Sequence, residues 1–138
     1  MARERDVRVR RVYDQPSPDD GQRLLVDRLW PRGLSKADAH LDEWVKAVAP
    51  SDDLRRWYAH DPARFAEFRR RYADELREPE HAAGLTHLEG AADRGTITLL
   101  TATKDAAHSE AAVLAEMLRA GATDGAQGEA DMPGDSSS

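Results

Sequence analysis

The stretch LLVDRLWPRG at residues 24–33 places Asp27 and Arg28 inside a run that is otherwise apolar, and Arg32 four residues further on. Lys36 follows, and a second polar stretch, TATKD at 101–105, brings Lys104. Arginine presents a planar fork that grips carboxylate or phosphate at two points, and lysine adds a point charge. A carboxylate set among such cations orients one of them or exchanges a proton with a bound group. The chemistry these residue types support is capture of an anion or a polarised carbonyl. Asp27 is the candidate catalytic or orienting group, and Arg28, Arg32, Lys36 and Lys104 are the candidate ligand-binding groups. The competing reading is an internal ion-pair network that ties loops to a sheet, since structural networks also gather charge.

Other chemistries find less support. The chain has no cysteine, which removes thiol nucleophiles, disulfides and cysteine-held metals. The five histidines, His40, His60, His81, His87 and His108, show no metal-ligand spacing, so no metal and no cofactor is expected. Neither a P-loop, a G-x-G-x-x-G fingerprint nor a G-x-S-x-G elbow occurs. Arg69, Arg70 and Arg71 could be read as a nucleic-acid stripe, but Glu67 stands four before Arg71, Arg70 four before Asp74 and Arg71 four before Glu75, which is helical pairing. A balanced face of this kind argues against a nucleic-acid partner. No apolar run reaches the roughly 18 residues of a membrane helix, and the arginine-rich start lacks the apolar stretch of a secretory signal. A cytoplasmic location is the expectation.

The elements that must position the candidates follow from periodicity. VRVR at 7–10 alternates with a period of two and reads as a strand running to Tyr13. QPSPDDG at 15–21 is dense in turn formers, and LLVDRLW reads as the second strand. Strict alternation along it sets Leu25, Asp27 and Leu29 on one face and Leu24, Val26, Arg28 and Trp30 on the other. The short connection between these strands favours an antiparallel hairpin on spacing alone, because a parallel crossover usually needs a dozen residues or more. Leu41, Trp44, Val45 and Val48 fit one helical face after a cap at Ser35. Ser51 and Asp61 read as further caps, and Phe65, Phe68, Tyr72 and Leu76 as the apolar stripe of the helix after Pro62. A weaker helix carries Leu85 and Leu88 and ends at Gly95. TITLLTAT at 96–103 is a central strand, and a last helix capped by Asp105 stops at Gly121. Trp30 is expected in the core.

The chain has 138 residues and a net charge of −6, unevenly placed. Residues 122–138 hold four acids and no base, leaving −2 for the rest, while residues 1–11 hold five arginines against Glu4 and Asp6. The acidic Gly/Ala/Ser stretch 122–138 is expected to be a disordered tail, because it has almost nothing to bury. One domain over residues 1–121 remains. The expected fold class is α/β: a single small three-layer-like domain with a short, mainly parallel sheet and about five helices.

Together RVYD (11–14), LLVDRLWPRGLSK (24–36), LDEWVKAVAPS (41–51), LRRWYAHDP (54–62) and TLLTATKD (98–105) resemble the YeaO-like branch of the domain-of-unknown-function family 488. The resemblance covers nearly all of residues 7–119. It implies a small cytosolic bacterial α/β protein with a parallel sheet, against the hairpin that spacing favours, and it brings no established catalytic assignment. It also implies a cysteine where this chain has Thr101, Cys-His-Arg in the wider family at Ser109, Glu110 and Ala111, and a histidine at Glu110 in the YeaO-like branch. Chemistry using those groups is closed to this chain. Two expectations stand: a small anionic ligand bound near Asp27, Arg28, Arg32 and Lys104, or a non-enzymatic structural or interaction module whose charges pair internally.

Overall fold

A computed structural model of the chain describes residues 5–127. Its strands are β1 (Val7–Arg11), β2 (Gln22–Leu25), β3 (Glu43–Trp44) and β4 (Ile97–Thr101). Its helices are α1 (Lys36–Ala39), α2 (Asp52–Tyr58), α3 (Phe65–Glu75), α4 (Pro79–Arg94) and α5 (Glu110–Gln127). The four strands form one parallel sheet in the order β1-β4-β2-β3.

β4 organises the sheet. All five of its residues are buried, which suits a strand with neighbours on both edges and cover on both faces. Leu99 faces Val9 of β1 and Leu24 of β2 in register. On one face Val7, Leu24, Ile97 and Leu99 join Leu54, Phe68, Tyr72, Leu88 and Leu114 in the main core, so α2 to α5 cover that side. On the other face Val12, Leu25 and Leu100 meet Trp30, Leu34, Leu41 and Trp44 in a smaller cluster, roofed by irregular chain and α1. The layering is that of a small α/β domain.

The hairpin favoured by spacing does not form. β1 and β2 do not pair; β4 lies between them, parallel to both. The connection can be short because it contains no crossover helix. It is a loop lying along one sheet face, pinned by the buried Asp20. That carboxylate accepts from Arg23 Nη1 at 2.7 Å, Arg10 Nη1 at 3.2 Å and the Ser17 backbone N–H at 3.0 Å. The Thr98 hydroxyl of β4 donates to the Asp20 carbonyl at 2.7 Å. Gly21 makes the turn into β2 with φ of 63°, and a Cβ there would stand 2.0 Å from the Thr96 carbonyl oxygen.

Three further expectations are corrected. β2 ends at Leu25, and although Val26 N–H still reaches Leu100 O, residues 27–30 are irregular. The alternation therefore lapses there, and Trp30 shares a cluster with Leu25 rather than with Leu24. The helical spacing of Leu41, Trp44, Val45 and Val48 belongs to no α-helix, and only Val48 enters a short 3-10 turn, Lys46–Val48. Trp44 sits on an edge strand facing one cluster, while Val45 and Val48 enter the other. Ser109, not Asp105, caps α5, with Ala112 N–H at 3.4 Å from Ser109 Oγ, and the helix runs past Gly121 to Gln127. Residues 128–138 of the expected tail lie outside the described residues. The caps at Ser35, Ser51 and Asp61 form as read, each side chain accepting from a backbone N–H.

Burial works against the Asp20 charge, but the hydrogen bonds from Ser17, Arg23 and Arg10 outweigh it and hold its carboxyl below the ordinary range. Its contribution to stability is present above the ordinary carboxylate range and is lost as pH falls through the lowered value. Asp20→Ala strands the buried Arg23 and should cost about 3 kcal/mol in chemical denaturation at neutral pH, with much of that difference gone in strong acid. A cost under about 0.5 kcal/mol would show that the loop is held by something else.

Candidate functional site

In a parallel sheet the strand ends all point their carboxyl edges the same way, and the loops beyond them form a natural crevice. Here β2 exits through Asp27, β4 exits through Thr101 and Ala102, and α5 begins at Glu110. Asp27 joins the three. Its Oδ1 accepts from the Thr101 hydroxyl at 2.8 Å and its Oδ2 from the Ala102 N–H at 2.8 Å. Thr103 N–H donates back to Thr101 Oγ1 at 3.2 Å, and Trp44 Nε1 donates to the Asp27 carbonyl at 2.7 Å.

The third partner of Asp27 is Glu110, whose carboxyl hydrogen-bonds to the Asp27 carboxylate. Burial, the hydrogen bond to Asp27 and the Asp27 charge push Glu110 well above its ordinary value near 4.5, and hydrogen bonds from its own N–H and from Thr101 only partly oppose this. A second negative charge beside Asp27 is costly, and that cost favours the protonated form of Glu110. Glu110 is thus the member of the pair that keeps its proton more readily than a free glutamate does.

This pair lies at the floor of a cleft of about 380 Å³ whose rim carries Arg28, Arg32, Arg55 and Arg56. Arg28 Nε lies 3.2 Å from Asp52, which Arg55 also engages at 2.6 Å, and Arg56 pairs with Asp53 at 2.6 Å. Arg32 stands exposed on the loop after Pro31; its carbonyl accepts from the Tyr13 hydroxyl, and its guanidinium has no ion-pair partner among the described residues. Gly33, with φ of 74°, turns the chain away from the rim. A second cleft of about 410 Å³ adjoins the first and carries Lys104. His60 faces both clefts from a strained position, since Ala59 and His60 adopt left-handed backbone at φ of 49° and 56°. His108 Nδ1 is 2.7 Å from Asp105, and its ring meets Phe65 edge-on.

Of the residues read from sequence, Asp27, Arg28 and Arg32 line one cleft and Lys104 the next, whereas Lys36 lies in α1 and lines neither. Asp27 does not orient a cation: its side-chain partners are a hydroxyl, a backbone N–H and a carboxyl. Arg28 takes its pairing from α2 instead. Sequence reasoning missed Glu110 as a site residue, together with Arg55, Arg56 and Asp52. A signal was present, because the first residue of the helix after a central strand faces the strand exits, and an acid there faces Asp27.

The fold and this polar floor define a small parallel α/β domain with a carboxyl pair at the strand exits. Residues 6–137 match a family described as the inactive DUF488-N3 subclade, and the chain belongs to it. It is 52% identical over 118 residues to uncharacterized protein Rv3073c of Mycobacterium tuberculosis (strain ATCC 25618 / H37Rv), covering 86% of this chain and 98% of that one. Uncharacterized protein Mb3100c of Mycobacterium bovis (strain ATCC BAA-935 / AF2122/97) matches to the same extent. It is also 40% identical over 114 residues to uncharacterized protein YeaO of Escherichia coli (strain K12), covering 83% of this chain and 97% of that protein. No solved structure matches. The YeaO-like resemblance is borne out. Among the described residues no helix is long and apolar enough to cross a membrane.

Because folded Glu110 holds its proton more tightly than the unfolded chain does, its stabilising effect is complete below the ordinary glutamate range and is lost as pH rises toward the folded value. Glu110→Gln keeps a hydrogen-bond donor and removes the titration. Its melting temperature should fall less than that of the parent as pH rises above the ordinary glutamate range; parallel curves would refute the raised Glu110 value. Asp27→Ala leaves Thr101, Ala102 and Glu110 without an acceptor and should cost about 3 kcal/mol in urea denaturation.

Proposed function

We propose that the cleft at the strand exits binds a small anionic molecule and that the protein acts by binding rather than by catalysis. The observation that carries the reading is Arg32: an exposed guanidinium, unpaired among the described residues, on the rim of a cleft that three more arginines share. A planar fork held near water at a concave site suits carboxylate or phosphate. A Glu110 that holds its proton more tightly leaves such a ligand less repelled than two ordinary carboxylates would.

The same pair argues against catalysis. Both Asp27 oxygens are taken by internal donors, so its carboxylate is not free to act as a base toward the cleft. The family's description as inactive agrees with this. A cytoplasmic setting, which the cysteine-free sequence fits, belongs to the same proposal.

A second reading keeps support from Asp52, which pairs with both Arg28 and Arg55. In that reading the charged rim clamps the 27–33 loop to α2 and binds nothing. Substitution separates the two. Arg32→Ala should leave stability within about 0.5 kcal/mol, as for a surface residue. It should also remove the binding of inorganic phosphate followed by backbone amide NMR shifts around 28–33. No phosphate-dependent shifts in the parent protein, or loss of folding in Arg32→Ala, would establish the clamp instead.

A further inference from the structure

The two clefts at the strand exits adjoin. Tyr58, His60, Ala102, Thr103 and His108 line both, so the two share one stretch of surface. Most charges around this joint groove are already matched. Arg28 and Arg55 engage Asp52, Arg56 engages Asp53, and His108 engages Asp105. Two cations remain without an ion-pair partner among the described residues, Arg32 and Lys104. Both are exposed, and they belong to different clefts, Arg32 to the first and Lys104 to the second.

We propose that the joint groove takes a small molecule with two anionic groups, one held by Arg32 and the other by Lys104, its uncharged middle lying along Tyr58, Ala102 and Thr103. This rests on the anion-binding reading and extends it to the substrate class: a bisphosphate, a dicarboxylate or a phosphorylated acid rather than a simple monoanion.

The physical argument is one of effective concentration. Once one end of a ligand is held, the second anion meets the second cation as an intramolecular partner, so a gain in affinity follows without new contacts elsewhere, provided the linker spans the sites. An exposed lysine alone contributes little to holding a single anion, because its charge is well hydrated and screened. Its value here comes from its position at the far end of a groove already anchored by Arg32. Along Tyr58 and Ala102 the shared stretch suits an uncharged linker. Tyr58 is 5% exposed and stacks on Phe68, and Ala102 contributes only a methyl group.

The test uses the full chain and calorimetric titration with alkane-α,ω-diol bisphosphates of two to eight carbons, alongside the matching alkyl monophosphates. The expected result is binding at least about tenfold tighter for the best bisphosphate than for its monophosphate, with a single optimum in linker length. Lys104→Gln should abolish that advantage while leaving monophosphate affinity unchanged, and Lys104→Arg should restore it. Arg32→Ala should weaken both ligands.

Two results overturn the proposal in distinguishable ways. Bisphosphates that bind no tighter than monophosphates at any length, with both still dependent on Arg32, refute the two-ended groove and leave the single anion site standing. Absence of binding by either series refutes the anion site itself. A bisphosphate advantage that survives Lys104→Gln also refutes the assignment, because another cation then holds the second end.

Discussion

The carboxylate of Asp27 holds the exits of β2 and β4 in one arrangement, and the cleft exists because it does. A strand that ends at Leu25 leaves the next residues without sheet partners. Asp27 restores the tie by accepting from the Thr101 hydroxyl and the Ala102 N–H just beyond β4, while Trp44 of β3 donates to its carbonyl. One residue thus bridges three neighbouring strands at their carboxyl edge. Glu110 adds α5 to the same knot. Charge-assisted hydrogen bonds of this kind are stronger than neutral ones, and they occur where the sheet hands the chain to loops that would otherwise be mobile.

That tie explains the placement of the arginines. With Asp27 fixed inward, the chain turns through Arg28 to Arg32 along the outside of the crevice, and Pro31 and Gly33 set the path. Arg28 reaches α2 and meets Asp52, which joins the loop to the helix that supplies Arg55 and Arg56. The result is a positive rim over a floor that holds the Asp27–Glu110 pair. A second carboxylate at the floor would cancel more of the rim, so the proton on Glu110 affects the field of the whole cleft. At the opposite edge of the sheet a different solution appears. Asp20 is buried with Arg23 and Arg10 and stays fully ionised, because cations and a backbone N–H surround it. Two acids in one small domain are driven in opposite directions by their neighbours.

Much of this was legible in the sequence. The buried run ITLLT announced a central strand, the serine and aspartate caps marked helix starts, and the interruption of LLV by Asp27 and Arg28 marked a polar strand exit. The errors have physical sources. Spacing between β1 and β2 suggested a hairpin, but the rule concerns crossovers with helices, whereas this loop is pinned flat by one buried ion pair. Leu41 to Val48 mimicked a helical stripe because an edge strand followed by a tight turn sends its apolar groups to opposite sheet faces. Glu110 escaped notice as a site residue because its partner is 83 positions away in sequence, and only the strand order β1-β4-β2-β3 brings them together. The alternation rule placed Asp27 opposite Arg28 correctly as non-partners, yet it could not show that each would find its partner outside the strand.

The knot at the strand exits turns on Asp27 and burial together holding the Glu110 carboxyl in its protonated form well above the ordinary value. Carbon-13 NMR of the side-chain carboxyl carbons, followed through a pH titration and assigned with Asp27→Asn and Glu110→Gln, observes it directly. The account predicts that the Glu110 carboxyl carbon keeps the shift of a protonated acid well above its ordinary value near 4.5, and that Asp27→Asn lowers its titration point. A Glu110 carbon that titrates with the solvent-exposed glutamates, unmoved by Asp27→Asn, would contradict it.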